Sequence, residues 1–297
     1  MLADQLQKSG HDVTKMETPH IPIKNLKNPS FAVLGALKGV INREHYDIVH
    51  AFNIPSAFAM HYAKGKKKVL SVHGMFSEQV NTLHSKTVSS IASNTESKVL
   101  KWADKLTTDS KITQKVYKEK LGLNFEHLTS AIDSTKLDVI DDVKKNKHQI
   151  IYLGRDSFEK GIDILKKIES KLNGNVVYCT DVSWNDAMIE LKKSSILIVP
   201  SRMESLPTNI KEAFYFKIPV IATNVGGIPE LVSHEKTGIL IPPEDPEMLA
   251  NAVNELLSDP EKTEKIAKNA NDFVKNNLTW DVVLPKYIQF YEGLLNN

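Results

Sequence analysis

The sequence predicts an α/β protein built from two doubly wound parallel-sheet domains. Three observations point there. Short apolar runs alternate with stretches of helical period along most of the chain, the pattern of strands joined by crossover helices. Runs such as Ile196 to Val199 carry no polar alternation, as strands buried on both faces require. At 297 residues the chain fits about two domains of roughly 100–200 residues each.

In the first half, Met1 to Lys8 has helical periodicity that Ser9-Gly10 stops, and Asp12-Val13-Thr14 begins a strand. A doubly wound domain normally opens with a buried strand and a Gly-rich turn before its first helix, and neither precedes Met1, so this domain is expected to lack its first strand. Residues 30–43 read as an amphipathic helix capped by Ser30, its apolar face packed on a sheet. Asp47 to Phe52 is a strand, residues 54–64 a short helix, and Lys66-Lys67-Lys68 leads into the strand Val69 to Gly74. His73 then stands at a strand's carboxyl end. Residues 76–102 are Ser/Thr-rich, a lid-side insertion. Ala103 to Ser110 reads as strand and cap, Gln114 to Leu121 as helix, and Phe125 to Leu128 as a weak strand. Residues 137–148 are charged without sustained apolar pattern, which makes them the linker and sets the boundary near 145.

The second half opens on the strand Gln149 to Leu153 with Gly154-Arg155 at its end, then a loop to Gly161 and the helix Ile162 to Leu172. The strand Asn175 to Cys179, a helix Ser183 to Lys193 and the strand Ile196 to Val199 follow. After a polar turn, Pro207 and Thr208 open a helix that carries Glu212. Pro219 to Ala222 is a strand running into Gly226-Gly227. A strand Ile239 to Pro242, a helix over 246–257 and a helical end from Lys262 to Leu295 complete the chain.

Composition excludes several classes. The lone cysteine, Cys179, leaves no internal disulfide or cysteine metal cluster, and its apolar run makes it a buried strand residue. The ten histidines show no ligand spacing. No apolar run approaches the roughly 18 residues of a membrane span, and no signal peptide pattern opens the chain, which favours a cytoplasmic location. The net charge of +2 hides an asymmetry: residues 1–147 hold 22 Lys/Arg against 15 Asp/Glu, residues 148–297 hold 16 against 21. A basic half suits a solvated face or contact with an anionic membrane on its cytosolic side. No feature points to nucleic acid.

The chemistry concentrates in the second half. Arg155 and Lys160, with a helix N-terminus opposite, make a seat for a diphosphate: the guanidinium grips oxygens bidentately, the ammonium adds a point charge, and helix amides donate. Glu204 and Glu212 lie eight apart around a helix start. They read as carboxylates that accept bonds from hydroxyls, or as a surface residue and a dipole-complementing glutamate. By spacing alone the second reading prevails.

With these residues in view, the chain resembles the family 4 (group 1) retaining glycosyltransferases of the GT-B fold, two Rossmann-like domains. The resemblance rests on Leu153-Gly-Arg155 with Glu159-Lys-Gly161, on Pro200-Ser201, on the E-x7-E stretch Glu204 to Glu212, on Pro219 to Thr223, on Gly226-Gly227-Ile-Pro-Glu230 and on Thr237 to Pro243. Weaker matches are Gly10 to Val13, Asp47 to His50, Val72-His-Gly74 and Ala103-Asp104 with Ser110. The resemblance implies an acceptor-side domain over 1–145, a nucleotide-sugar domain over 146–278, and a last helix, 279–297, crossing back to the first domain. It implies a nucleotide-sugar donor, a glycan, lipid or small-molecule acceptor, and no metal or other cofactor. Arg155 and Lys160 would bind the donor diphosphate beside Gly154, Glu212 the ribose, and Glu204 the sugar hydroxyls. The amides of Leu206, Pro207, Thr208 and Asn209 would line sugar and phosphate, and His73 would approach the sugar from the first domain.

Three departures from the family pattern stand out: the first strand and its glycine turn before Met1, a strand and helix between Leu172 and Asn175, and Ser130-Ala-Ile-Asp133 where Asn-Gly-Val-Asp is usual. They motivate an alternative, a degenerate GT-B protein that binds nucleotide or a partner without turnover. An epimerase or phosphorylase of the same fold is disfavoured by the E-x7-E pattern and by the lack of a marked pyridoxal lysine.

Overall fold

The computed structural model describes residues 1–21, 23, 27–74 and 86–296. They form two compact units, Met1–Thr129 with Leu284–Asn297, and Ser130–Val283. The division falls before residue 145 because the intervening stretch belongs to the second core. Ile132, Leu137 and Ile140 are buried there, Ile132 N–H donates to Leu278 O at 2.8 Å, and Lys211 Nζ donates to Ser130 O at 2.8 Å. The helical end breaks at Leu278-Thr279 into Pro260–Asn277 and Trp280–Leu295, and the last helix is assigned to the first unit from Leu284.

The first unit holds strands β1 (His45–Phe52), β2 (Lys64–Ser71), β3 (Lys105–Thr108) and β4 (Glu126–His127) in that spatial order, all parallel. Val69 of β2 is buried, and Leu70 of β2 and Leu106 of β3 are buried in one cluster with Met60, Leu100 and Tyr117. Ser110 caps the helix Lys111–Leu121 by accepting from Thr113 N–H at 3.3 Å. Asp12-Val13-Thr14 is irregular rather than a strand, and no neighbouring strand pairs with it among the described residues. The lysines 66–68 lie inside β2, which starts at Lys64, where Lys66 Nζ pairs with Asp47 Oδ1 of β1 at 2.7 Å. Of the lid-side insertion, residues 75–85 lie outside the described residues, and Lys86–Leu100 is a helix.

The helix Lys27–Ile41 departs most from expectation. It starts before Ser30, whose Oγ accepts from Ile21 N–H at 2.9 Å instead of capping the helix. Its buried face is Gly35 and Gly39, set against Ala59 and Ala63 of the neighbouring segment, where a Cβ on Gly39 would meet Ala59 O at 2.6 Å. Two glycines let backbones approach closely, which turns Val33, Leu34, Leu37, Val40 and Ile41 outward. The apolar face is exposed and not packed on a sheet.

The second unit is a five-stranded parallel sheet, β5 (Gln149–Leu153), β6 (Asn175–Cys179), β7 (Ile196–Val199), β8 (Val220–Thr223) and β9 (Ile239–Ile241), in the order β6-β5-β7-β8-β9. Alternate strand residues serve opposite faces. Ile151, Leu197, Val199, Val220 and Ala222 pack under the helices Trp184–Lys193, Thr208–Tyr215 and Pro260–Asn277. Ile150, Ile196, Ile198 and Ile221 pack under Ile162–Ile168 and Pro246–Ser258. Cys179 is buried and unpaired.

In the first unit a polar chain crosses the carboxyl ends of the strands. His50 Nδ1 lies 2.6 Å from Tyr291 Oη, and His50 Nε2 lies 2.7 Å from Ser71 Oγ, which bonds Thr107 Oγ1. Burial, then the charge of nearby His73, pulls the His50 imidazole down to about 3. An unfolded histidine titrates near pH 6.5, so between those values the unfolded chain binds a proton that the folded chain refuses. The contribution of His50 to stability is level above about pH 6.5 and falls as pH drops below it. Melting temperatures followed from pH 8 to pH 5 are expected to decline on the acid side, and His50→Gln is expected to flatten that decline.

Candidate functional site

The order β6-β5-β7 places β5 between its successor on one side and β7 on the other. Chain direction reverses there, which opens a crevice beyond the carboxyl ends of these strands. Two backbone contacts shape it. Gly161 ends the loop after β5 at φ +68°, where a Cβ would stand 1.9 Å from Pro200 O. Gly226, in the loop after β8 at φ +52°, would place a Cβ 1.8 Å from Glu204 O. Only glycine fits either position. Gly154 is under no such constraint, since a Cβ there would meet the Tyr152 hydroxyl at 3.3 Å.

Held by these contacts, Lys160 and Glu204 meet. Lys160 Nζ donates to Glu204 Oε1 at 2.6 Å, with side chains 24% and 8% exposed. Ser201 Oγ donates to the same oxygen at 2.9 Å, and Ser201 O in turn accepts from Thr223 Oγ1 of β8. Glu204 is therefore an anchored, largely buried carboxylate rather than a surface residue. Arg155 stands apart from this pair: it is 74% exposed and bonds Glu159 Oε1 at 3.0 Å. Arg202 ties the surrounding loops together by donating to both oxygens of Asp163, at 2.7 and 2.9 Å, to Phe158 O and to Glu244. Its guanidinium lies 3.9 Å from the centroid of the Phe158 ring, and the bonds it makes hold the Asp163 carboxyl below the usual range.

The helix Thr208–Tyr215 begins in the crevice after Leu206 and Pro207, both buried, and no side chain caps it. Its first-turn amides keep their donor capacity and the positive end of the helix dipole. Asn209 Nδ2 donates to Leu153 O at 2.7 Å, while Asn209 Oδ1 is buried with no hydrogen-bond partner among the described residues. Glu212 is buried and accepts from Trp184 Nε1 at 2.8 Å. Burial raises its carboxyl above the ordinary range, against the Trp184 bond and the Lys211 charge.

Residues 166–273 match the model for glycosyl transferases group 1, and residues 1–130 match that for glycosyltransferase family 4. The chain belongs to the group 1 glycosyltransferases. Sucrose-phosphate synthase from Thermosynechococcus elongatus superposes with a TM-score of 0.78 at 17% identity over 99% of this chain and 92% of that one. HepE of Anabaena in complex with UDP-glucose gives 0.72 at 17% identity over 98% and 88%. These likenesses place both units in the GT-B fold. An uncharacterized glycosyltransferase of Methanocaldococcus jannaschii is 26% identical over 179 residues, covering 50% of this chain and 46% of that relative. The match thus spans under half of that relative's length.

In this family member the second unit brings Lys160, Glu204, Leu206 and Pro207 onto converging loops and Thr208, Asn209 and Glu212 onto the helix that follows, with Gly154 and Arg155 at the end of β5. His73 belongs to the first unit, two residues beyond β2, with Nδ1 2.9 Å from Asp109 Oδ2 and its ring 6.2 Å from that of Phe52, nearly parallel. Sequence reasoning missed Trp184 as the partner of Glu212 and Arg202 as the loop tie. The placement of Trp184 directly after the Ser183 cap at a strand's carboxyl end was the available signal for the first. Among the described residues, no group of three or more His, Cys, Asp or Glu could hold a metal.

Gly161→Ala and Gly226→Ala are expected to lower stability by about 2 kcal/mol or more, from left-handed strain plus the backbone clash. Gly122→Ala, at φ +65° in open space, carries only the strain and is expected to cost about 1–2 kcal/mol at most. Urea unfolding of the three variants measures the difference.

Proposed function

We propose that this protein transfers a sugar with retention from a nucleoside-diphosphate sugar, without a metal ion, to a hydroxyl of a glycan, lipid or small molecule. The observation that carries the reading is the Lys160–Glu204 pair, 2.6 Å apart, set at the switch point of the second sheet beside an uncapped helix start. The UDP-glucose bound by the Anabaena neighbour supports the donor class. In this reading Lys160, joined by Arg155 and the amides of the helix Thr208–Tyr215, takes the diphosphate and stabilises charge as it leaves. Glu204 accepts from sugar hydroxyls, Glu212 accepts from the ribose, and the acceptor hydroxyl attacks on the face the diphosphate leaves. Positive side chains and helix amides supply the stabilisation that a cation would give.

Lys160→Ala and Glu204→Gln are each expected to reduce transfer by at least about 100-fold, the scale of a lost charge-stabilising group, with a cooperative melting transition retained and Lys160→Ala the less stable of the two, because it leaves the Glu204 carboxylate unpaired. Donor consumption followed by chromatography against a panel of nucleotide sugars reads the effect. Nucleotide binding without turnover in the wild-type protein would favour the non-catalytic alternative.

We also propose that the first unit rests on an anionic membrane at its cytosolic face. Two observations support it: the exposed stripe Val33, Leu37, Val40 and Ile41 and the basic excess of residues 1–147. Lys27 opens the same helix, and an exposed apolar stripe beside a basic residue suits an interfacial helix. Among the described residues no helix is long and apolar enough to cross a membrane. Co-sedimentation with phosphatidylserine vesicles is expected at low salt, weaker at high salt and lost in Leu37→Glu/Val40→Glu. Equal recovery with neutral vesicles would oppose the electrostatic part.

A further inference from the structure

Glu212 is buried on the helix Thr208–Tyr215, and its carboxylate receives the indole N–H of Trp184, 2.8 Å away, from the first residue of the helix Trp184–Lys193. The two helices lie on the same face of the second sheet, sharing one core. Trp184 opens its helix at the carboxyl end of β6, the neighbour of β5. The ring does not serve as core filling, because Trp184 is 44% exposed. A large aromatic half in water with its one polar atom spent on a buried carboxylate is a directional contact, not a packing one.

The consequence concerns the second oxygen of Glu212. A carboxylate on a flexible side chain can rotate about its last torsion, and a donor fixed on Oε1 removes that freedom. With Oε1 held by a ring that its own helix start positions, Oε2 keeps its capacity to accept. Burial penalises the charged form of this carboxyl, and the indole N–H offsets part of that penalty, favouring an acceptor over a protonated donor.

We propose that Trp184 is a positioning residue for the nucleotide: its indole N–H fixes Glu212 so that the free carboxylate oxygen accepts from the ribose hydroxyls of the donor. This rests on the reading of Glu212 as the ribose-binding carboxylate. It adds that the discrimination between a ribonucleotide and its deoxy counterpart depends on a residue that does not itself touch the sugar.

The test compares two ring replacements. Trp184→Phe keeps an aromatic ring and loses the N–H. Trp184→His retains it, because the imidazole overlays the pyrrole half of the indole and puts Nε2 where Nε1 was. Calorimetry measures binding of UDP, GDP and ADP, and the tightest of these is then compared with its 2′,3′-dideoxy form. In the Phe variant the ribonucleotide is expected to bind about tenfold or more weakly, the scale of a hydrogen bond to a charged group, with the dideoxy form unchanged. The His variant is expected to stay within about threefold of wild type on both, as the bond is retained. Equal weakening of both nucleotides, no weakening, or a His variant as impaired as the Phe variant would overturn the proposal. Glu212→Ala separates the two levels: if it leaves the ribose preference intact, the underlying assignment of Glu212 fails. If it abolishes the preference and Trp184→Phe does not, only the role of Trp184 fails. Melting curves check folding, and Trp184→Met repeats the measurement should the Phe variant not fold.

Discussion

Two backbone contacts at glycine hold the candidate site in shape. Gly161 lies against the carbonyl of Pro200, and Gly226 against that of Glu204, each closer than any side chain permits. The first couples the loop after β5 to the end of β7, and the second couples the loop after β8 to the turn that carries Glu204. Because both contacts are made by main chain, the relative height of these loops is fixed by sterics and not by the fit of side chains. Lys160, one residue before Gly161, and Glu204, beneath Gly226, are brought within bonding distance as a result.

Electrostatics then divide the labour among the charged groups. Arg202 spends its donors on Asp163, Glu244 and the Phe158 carbonyl, so it works as a structural tie between loops. Lys160 and Glu204 neutralise one another in a setting mostly screened from water, where a lone charge would be costly. That pairing holds both groups in place, and it can be exchanged for ligand contacts of the same polarity. Arg155 is the exposed member, bonded to Glu159 at 3.0 Å. A surface pair of this kind is worth little, which leaves the guanidinium free to be recruited elsewhere at low cost.

The inner strands of the second unit were legible because they are buried on both faces, and the edge strand Asn175 to Cys179, mostly half-buried, was legible from its apolar residues. Ile196 to Val199 and Asn175 to Cys179 have the bounds the apolar runs indicate, since an uninterrupted apolar run flanked by polar turns has few other uses. The helix Lys27–Ile41 was legible as a helix and misread in orientation. Its apolar residues outnumber its glycines, and periodicity assigns the apolar stripe to the core, whereas close backbone approach at Gly35 and Gly39 decided the packing. The boundary near residue 145 was misplaced for a related reason. Local charge marks 137–148 as a linker, but Leu137 and Ile140 are buried in the second core, and single apolar residues in a charged stretch carry no periodic signal.

The sequence by itself determined the α/β class, the strands of the second sheet, and the identity of Lys160, Glu204 and Glu212 as residues of interest, because burial pattern and motif order are local properties of the chain. The tertiary structure alone decided what each of them touches. Lys160 is 44 positions from Glu204, and Trp184 is 28 from Glu212; contacts over such separations depend on strand order and on where glycine lets two backbones meet. Nothing in local spacing encodes that geometry, since it comes into being only when β5 is flanked by β6 and β7.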